Sequence, residues 1–299
     1  MSAVAEDDEV ELCASCGTAG SDDIKLKKCT ACYLVKYCSV KCQKDHRKQH
    51  KRECKKRASE LRDKILFKQP ESTHLGDCPI CCLPLPIGPQ KSILMSCCSK
   101  RICKGCDTAN MKREVEGSLD ETCIFCRKAP PETEEEINEQ SMKRIHANDP
   151  VAMCQMGSKR YYEGDYNSAF EYWTKAAALG DAEAHHQLSV TYRNGLGVEK
   201  DEKKALYHTE QAAIAGHPQA RHNLGVFEMK NGKMSTAVKH FIISAKLGCD
   251  NSLDGLKCLY KDRLIGKEDF TAALRGYQAA IEAMRSAQRE EAAEFYSNL

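Results

Sequence analysis

Sixteen of the nineteen cysteines in this chain lie within its first 126 residues, and most come in pairs two residues apart. Cys13/Cys16, Cys29/Cys32, Cys78/Cys81, Cys103/Cys106 and Cys123/Cys126 make five such pairs. A C-x2-C turn aims two thiolates at one point, which suits a tetrahedral zinc site. Cysteines packed as small hydrophobes do not repeat in this way. A disulfide framework belongs to oxidising compartments, whereas zinc thiolates must stay reduced, which fits the cytosol or nucleus. Small zinc-stapled modules are therefore expected at the N-terminal side.

Beyond residue 126 only Cys154, Cys249 and Cys258 remain, and this shift marks a domain boundary. A length of 299 residues leaves room for two or three domains. The start of the chain is acidic (Glu6, Asp7, Asp8, Glu9, Glu11), with no basic and apolar leader pattern, so no secretory signal is expected. No apolar run approaches the ~20 residues of a membrane span, and no membrane partner is expected. Removing fifteen thiol protons and adding four divalent ions takes the formal charge from +2 to −5. That balance argues against nucleic acid as a partner. The one basic run, Lys41 to Lys64, has 11 Lys/Arg against 4 Asp/Glu and reads first as a solvated helix face.

The first module orders its ligands as Cys13-x2-Cys16, Cys29-x2-Cys32, Cys38-x3-Cys42 and His50-x3-Cys54. The last two pairs are i, i+4, so each faces one side of a helix. With Tyr37-Cys38-Ser39 leading into Cys42-Gln43, residues 13–54 closely resemble a MYND finger. The resemblance implies interleaved sites: one zinc on Cys13, Cys16, Cys38 and Cys42, the other on Cys29, Cys32, His50 and Cys54. Both would be closed, with no open position to activate water. His46 also follows a cysteine by four residues; the resemblance assigns the ligand to His50 and leaves His46 as a surface histidine. It further implies recognition of short proline-containing peptides beside the helix, with Gln43 retained for that role. Arg47 stands where most members have tryptophan. Residues 55–77 are expected to hold a connecting helix that ends before Gln69-Pro70.

The second module, residues 78–128, runs Cys78/Cys81, Cys97-Cys98, Cys103/Cys106 and Cys123/Cys126, then Arg127-Lys128. It resembles a RING finger. A cross-brace would give one zinc to Cys78, Cys81, Cys103 and Cys106 and the other to Cys97, Cys98, Cys123 and Cys126, with Cys82 the alternative ligand. There is no histidine ligand, and the second pair is adjacent. RING ubiquitin ligases hold a conjugating enzyme through an apolar residue in the first knuckle and often a basic residue after the last ligand. Ile80 and Arg127 match those places, but between Cys106 and Cys123 there is no tryptophan, only Met111.

Residues 129–148 read as an acidic linker, with Glu134-Glu135-Glu136 entering a short helix through Ile145. From 149 to 283 the chain repeats. Ala152, Ala184, Ala220 and Ser252 each open an i, i+4, i+8 series, at steps of 32, 36 and 32 residues. A second helix follows each, with an A-x6-A-A-x2-G pattern at Ala169 and Ala205, and at Ala237 with Ser244 in place of one alanine, whose glycine (Gly180, Gly216, Gly248) ends the helix. Four stacked helix pairs make an α-solenoid. The stretch from Tyr192 through Gly195, Gly197 and Asp201 to Ala205 strongly resembles a Sel-one-like repeat, a relative of the tetratricopeptide repeat. Tyr161, Tyr162, Tyr166, Tyr172 and Trp173 read as packing between helices. His185, His186, His208, His217, His222 and His240 read as surface or groove residues. Residues 284–299 are expected to cap the solenoid with a last helix.

The whole reads as a mainly α protein: two small zinc-stapled fingers followed by an α-solenoid of helix pairs. It lacks a nucleophile elbow, phosphate loop or dinucleotide fingerprint. The expected function is a zinc-binding adaptor for protein partners, holding four Zn2+. The alternative is a RING-type ubiquitin ligase whose repeats or MYND finger select substrate.

Overall fold

The computed structural model describes residues 11–88 and 90–297, which divide into two compact units at Lys68/Gln69. In the first, β1 (Lys27–Lys28) pairs antiparallel with β2 (Lys36–Tyr37), and one long helix follows, α1 (Val40–Leu66). Ser39 caps α1 by accepting from the Cys42 amide. The helical period sets Cys42, His46, His50 and Cys54 on one face. The expected connecting helix over 55–77 is not a separate element. Between Cys54 and Leu66 the residues are mostly good helix formers with no breaker, so the ligand-bearing helix continues unbroken to Leu66.

In the second unit, β3 (Ser92–Leu94) and β4 (Arg101–Cys103) form a hairpin in register Ile93↔Ile102, and α2 (Lys104–Glu116) leaves directly from β4. Leu85 and Ile102 form the apolar centre of this finger, together with Cys78, Cys103 and Cys106. The short helix expected within the acidic linker is α3 (Glu134–His146), thirteen residues long. Thr133 accepts from the Glu136 amide, the three glutamates sit at the positive end of the helix dipole, and Lys143, Arg144 and His146 sit at the negative end. Its Ile145 packs on the core of the first repeat.

Eight helices then follow in pairs: α4 (Pro150–Tyr162) with α5 (Tyr166–Ala178), α6 (Ala182–Asn194) with α7 (Glu202–Ile214), α8 (Pro218–Lys230) with α9 (Met234–Lys246), and α10 (Asp250–Lys261) with α11 (Lys267–Ala283). Gly180, Gly216 and Gly248 all have φ between +83° and +88°, a left-handed conformation that glycine adopts without steric cost. The pairs approach closely where a first-helix glycine meets an aromatic. A Cβ on Gly157 would lie 2.6 Å from Trp173, and one on Gly225 would lie 2.5 Å from Phe241. Trp173 is buried and donates its indole N–H to the Cys154 carbonyl at 3.3 Å, with Tyr161 packed on it. Tyr162, by contrast, is 87 % exposed and packs between no helices.

The last helix, α12 (Ala287–Ser297), does not cap the solenoid as expected. It packs on α2 of the second finger. Gly105 on α2 lacks a side chain, so the α12 backbone at Arg289 comes close: a Cβ there would lie 3.0 Å from Arg289 Cα. Lys112 pairs with Glu291, and Lys104 lies over the Tyr296 ring. Residues 298 and 299 of the expected cap lie outside the described residues.

Candidate metal centres

Four knuckles in the two cysteine modules share one backbone shape. In each, the residue after the second cysteine is left-handed: Gly17 (φ +73°), Tyr33 (+55°), Cys82 (+55°) and Arg127 (+58°). In each, that residue's amide donates to the carbonyl of the first cysteine, as in Cys82 to Cys78 at 2.8 Å and Arg127 to Cys123 at 2.8 Å. The turn folds the intervening amides over the first sulfur and leaves both sulfurs on its concave side. Ser99, after the adjacent Cys97-Cys98, has φ +54° and donates to the Met95 carbonyl at 2.7 Å. This is the bent backbone that an adjacent pair demands. Cys103/Cys106 is built differently, with Cys103 as the N-cap of α2.

The knuckles converge in pairs. Cys13, Cys16, Cys38 and Cys42 come together, as do Cys29, Cys32, His50 and Cys54; Cys78, Cys81, Cys103 and Cys106; and Cys97, Cys98, Cys123 and Cys126. In each group all four donor atoms lie within 4.8 Å of one another. A tetrahedron with Zn–S bonds of about 2.3 Å has edges of roughly 3.8 Å. The recorded edges are close to that: Cys16–Cys38 3.5 Å, Cys29–Cys54 3.7 Å, Cys78–Cys106 3.8 Å, Cys81–Cys103 3.8 Å and Cys98–Cys123 3.7 Å. Cys32 Sγ and His50 Nε2 are 3.2 Å apart. Both modules alternate their pairs between two sites.

The donor chemistry also fits a divalent soft-ligand metal. The first cysteine of each of the four left-handed knuckles is held toward thiolate. At Cys13 the amide of Cys16, then that of Cys38, lowers the thiol to about 6. At Cys29 burial opposes, but the Cys32 and Ala31 amides win and bring it to about 6. Cys78 and Cys123 reach about 7 in the same way, against burial, through amides of Cys81 and Cys126 respectively. With no cation between them, the later sulfurs go the other way: the Cys16 side chain pushes Cys38 up to about 12, and burial does the same to Cys54. A zinc ion would supply the charge that lets all four deprotonate.

His46 is not part of a cluster, but neither is it a free surface group. It is half-buried, Tyr37 Oη lies 3.1 Å from its Nδ1, and its ring stacks on His50 at 5.7 Å. Tyr37 is itself buried, which draws the imidazole inward. Cys82 is exposed and belongs to none of the clusters among the described residues; its place is the left-handed position of the knuckle. Gln43 lies half-buried on α1 beside exposed Arg47. Ile80 is 44 % exposed. With Ala109, Asn110, Arg113, Phe125 and Arg127 it lines a shallow groove of ≈ 370 Å³, and Gln288 of α12 closes one side. Met111 does not line it.

The repeat histidines are mostly inside the solenoid, because their spacing places them where one helix pair stacks on the next. His217 and His240 are buried. His185 and His208 bring their Nδ1 atoms to 2.9 Å, and His222 Nδ1 lies 2.9 Å from Ser252 Oγ. Sequence reasoning missed a further cluster. His217 Nε2 is 3.1 Å from Glu183 Oε2, His74 Nε2 is 3.6 Å from the same oxygen, and the two rings stack at 4.2 Å. His217 Nδ1 also accepts from the Ala220 amide as the N-cap of α8. Its proton must then sit on Nε2, directed at Glu183. His217 thus uses both ring nitrogens, whereas His74 meets Glu183 only at ion-pair distance and its buried Nδ1 has no hydrogen-bond partner among the described residues; the donor types of the set would suit a metal. Burial opposes the Glu183 charge, but His217 and His74 outweigh it and hold the carboxyl far below the usual range. No spacing rule links residues so far apart in the chain.

Residues 13–54 match the MYND finger family, and residues 150–181 and 182–217 match the Sel1 repeat. Among solved structures the chain is similar to a Sel1 repeat protein from Oxalobacter formigenes, with 25% identity over 60% of this chain and 73% of that one, at a TM-score of 0.44. It is also similar to a protective antigen of uropathogenic Escherichia coli strains that displays an SLR fold, with 29% identity over 49% of this chain and 33% of that one, at a TM-score of 0.40. The chain thus carries a MYND finger, which implies zinc binding, and Sel1 repeats. Among the described residues no helix is long and apolar enough to cross a membrane.

Proposed function

We propose that the chain is a protein-interaction adaptor in which four structural zinc ions hold two fingers and the Sel1 repeats present a binding surface. The observation that carries this reading is the set of four separate four-donor clusters, each complete without water. A closed tetrahedral site stabilises a fold and does no hydrolytic chemistry. The sixteen donors would be Cys13, Cys16, Cys38 and Cys42; Cys29, Cys32, His50 and Cys54; Cys78, Cys81, Cys103 and Cys106; and Cys97, Cys98, Cys123 and Cys126. The domains on this reading are the finger 13–54, the RING-like finger 78–128 and the repeats 149–283, with partners taken through Gln43 on α1 and through the repeat surface. A reducing compartment, cytosol or nucleus, suits the thiolates. Elemental analysis of the purified chain tests the count: four zinc ions are expected, and two or fewer would remove at least one finger from the scheme.

A second reading has one observation in its favour. A groove lies beside Ile80 and Arg127, the residues that the RING resemblance would assign to a conjugating enzyme, and both side chains are exposed to it. Its α2 wall is built from Ala109, Asn110 and Arg113, with no aromatic. Losing contact of that size removes about 1–3 kcal/mol of apolar burial, or five- to over a hundred-fold in affinity. Weak ubiquitin discharge by the full zinc-loaded chain, abolished by Ile80→Ala or Arg127→Ala without zinc loss, would favour the ligase. No discharge with any conjugating enzyme would leave the adaptor.

A further inference from the structure

Arg289 lies 208 residues beyond Cys81 of the second finger, yet its guanidinium reaches that cysteine's cluster. Its Nη2 donates to Cys81 Sγ at 3.4 Å and to the Leu83 carbonyl at 3.2 Å; its Nη1 donates to the carbonyls of Pro84 at 2.8 Å and Met284 at 2.6 Å. The neighbouring Gln288 meets Cys106 Sγ through its Oε1 at 3.8 Å. Two of the four sulfurs at this site, those of Cys81 and Cys106, are therefore touched by two consecutive residues of α12.

The four clusters differ in how much they need such help. Four thiolates on one Zn2+ leave a net charge of −2, and three thiolates with a neutral imidazole leave −1. A charge buried without a partner is costly. Cys29/Cys32/His50/Cys54 is well buried but carries the histidine; Cys13/Cys16/Cys38/Cys42 and Cys97/Cys98/Cys123/Cys126 are all-thiolate but more open. Cys78/Cys81/Cys103/Cys106 alone combines four thiolates with three buried members. It is there that the guanidinium is found.

We infer that α12 is an outer shell of this zinc site, with Arg289 as the positioning cation that balances its excess thiolate charge and fixes the loop after Cys81. This rests on the four-zinc reading above. The second finger is then completed by the far end of the chain, and its zinc affinity depends on whether α12 is docked. Arginine serves the thiolate and the neighbouring carbonyls at once, and a lysine at this place would keep the positive charge that the thiolates need.

The test is the rate at which the full chain yields zinc to a colorimetric chelator, with stoichiometry read alongside. Arg289→Met is expected to release one zinc equivalent at least about tenfold faster than wild type, with the other three unchanged. Arg289→Lys, which keeps the charge, is expected within about threefold of wild type. Release from Arg289→Met at the wild-type rate would overturn the inference, as would equal acceleration in both variants. If Arg289→Met does not accumulate, Arg289→Lys carries the test, and a tenfold acceleration in it is the overturning result. A wild-type chain with no zinc on residues 78–106 would instead overturn the four-zinc reading, together with this inference, and is seen in the wild-type stoichiometry before any variant is made.

Discussion

The two cysteine modules use the same alternating ligand order and the same knuckle turn, yet they are supported differently. The first has a small core of Cys13, Cys29, Cys32 and Tyr37, with Leu26 and Val35 packed against it, and a single helix that carries three of its eight donors. Everything that holds it comes from residues close in the chain. The second adds a β-hairpin, the apolar pair Leu85 and Ile102, and a docked helix from the far end of the sequence. Four-donor clusters of similar geometry can thus be either the main support of a fold or one part of a larger packing arrangement.

Chelation should separate the two most sharply. A structural zinc contributes ~10–16 kcal/mol of apparent binding free energy, as much as the entire stability of a typical domain, ~5–15 kcal/mol. Residues 13–54 are expected to lose all amide protection when zinc is stripped. Residues 78–126 should lose theirs together with α12, while α4–α9 keep it, since repeats are held by their neighbours. Hydrogen exchange on the intact chain reads all three at once. If α12 stays protected after zinc is removed, the dependence argued for the second finger is broken.

Next in size is the choice of histidine in the first finger. His50→Ala should cost one zinc and unfold residues 29–54. His46→Ala should keep the full zinc count and lose only the Tyr37 contact and the ring stack, about 0.5–1.5 kcal/mol for a net hydrogen bond. Zinc content and melting temperature of the two variants check this; equal zinc loss would reverse the ligand assignment.

The difference in support also explains what was legible in the sequence. The donor pairs are local in spacing, and the resemblance to MYND and RING fingers implied how they group; the same four groups come together in the fold. The 32- and 36-residue period likewise placed the eight repeat helices. The short helix expected after Glu134 through Ile145 is α3, and Thr133-x-x-Glu136 is the helix-start signature that marks its beginning. The docking of α12 and the His74–Glu183–His217 set had no local signal, because each depends on residues 100 or more apart that only the packed solenoid brings together. The Gly157/Trp173 and Gly225/Phe241 pairs were within reach, since each joins a glycine and an aromatic sixteen residues on.

Those glycines allow a test confined to the repeats. Gly157→Ala and Gly225→Ala would each drive a methyl into a buried ring, at 2.6 Å and 2.5 Å. Overpacking of this kind costs ~1–3 kcal/mol, set against about 1 kcal/mol gained from helix propensity. A lower melting temperature of the repeat helices is expected, with the zinc count unchanged. A rise in melting temperature in both variants would show that the pairs are not tight.

The smallest expected effect is that of acid on the repeats, and its sign follows from the buried histidines. Burial pushes His186 down to about 3 and lowers His217 as well. A histidine whose folded pKa lies below its unfolded value of about 6.5 binds fewer protons folded than unfolded in between. Stability is therefore full above the unfolded pKa and falls as pH drops from there toward the folded value. Glu183 acts in the same direction at lower pH: its folded pKa is depressed, so its contribution is present above about 4.3 and is lost as pH falls further. Protonating His217 at Nδ1 would also remove the acceptor that caps α8. Hydrogen exchange over residues 182–230 should show opening that rises as pH is lowered from 7 to 4, after correction for the intrinsic rate. His217→Asn, which keeps a capping side chain without a titrating one, should flatten that rise. The measurement belongs on the repeat helices rather than on whole-chain unfolding, because the fingers also surrender zinc to protons in acid. A slope in His217→Asn equal to that of wild type would remove His217 as its source.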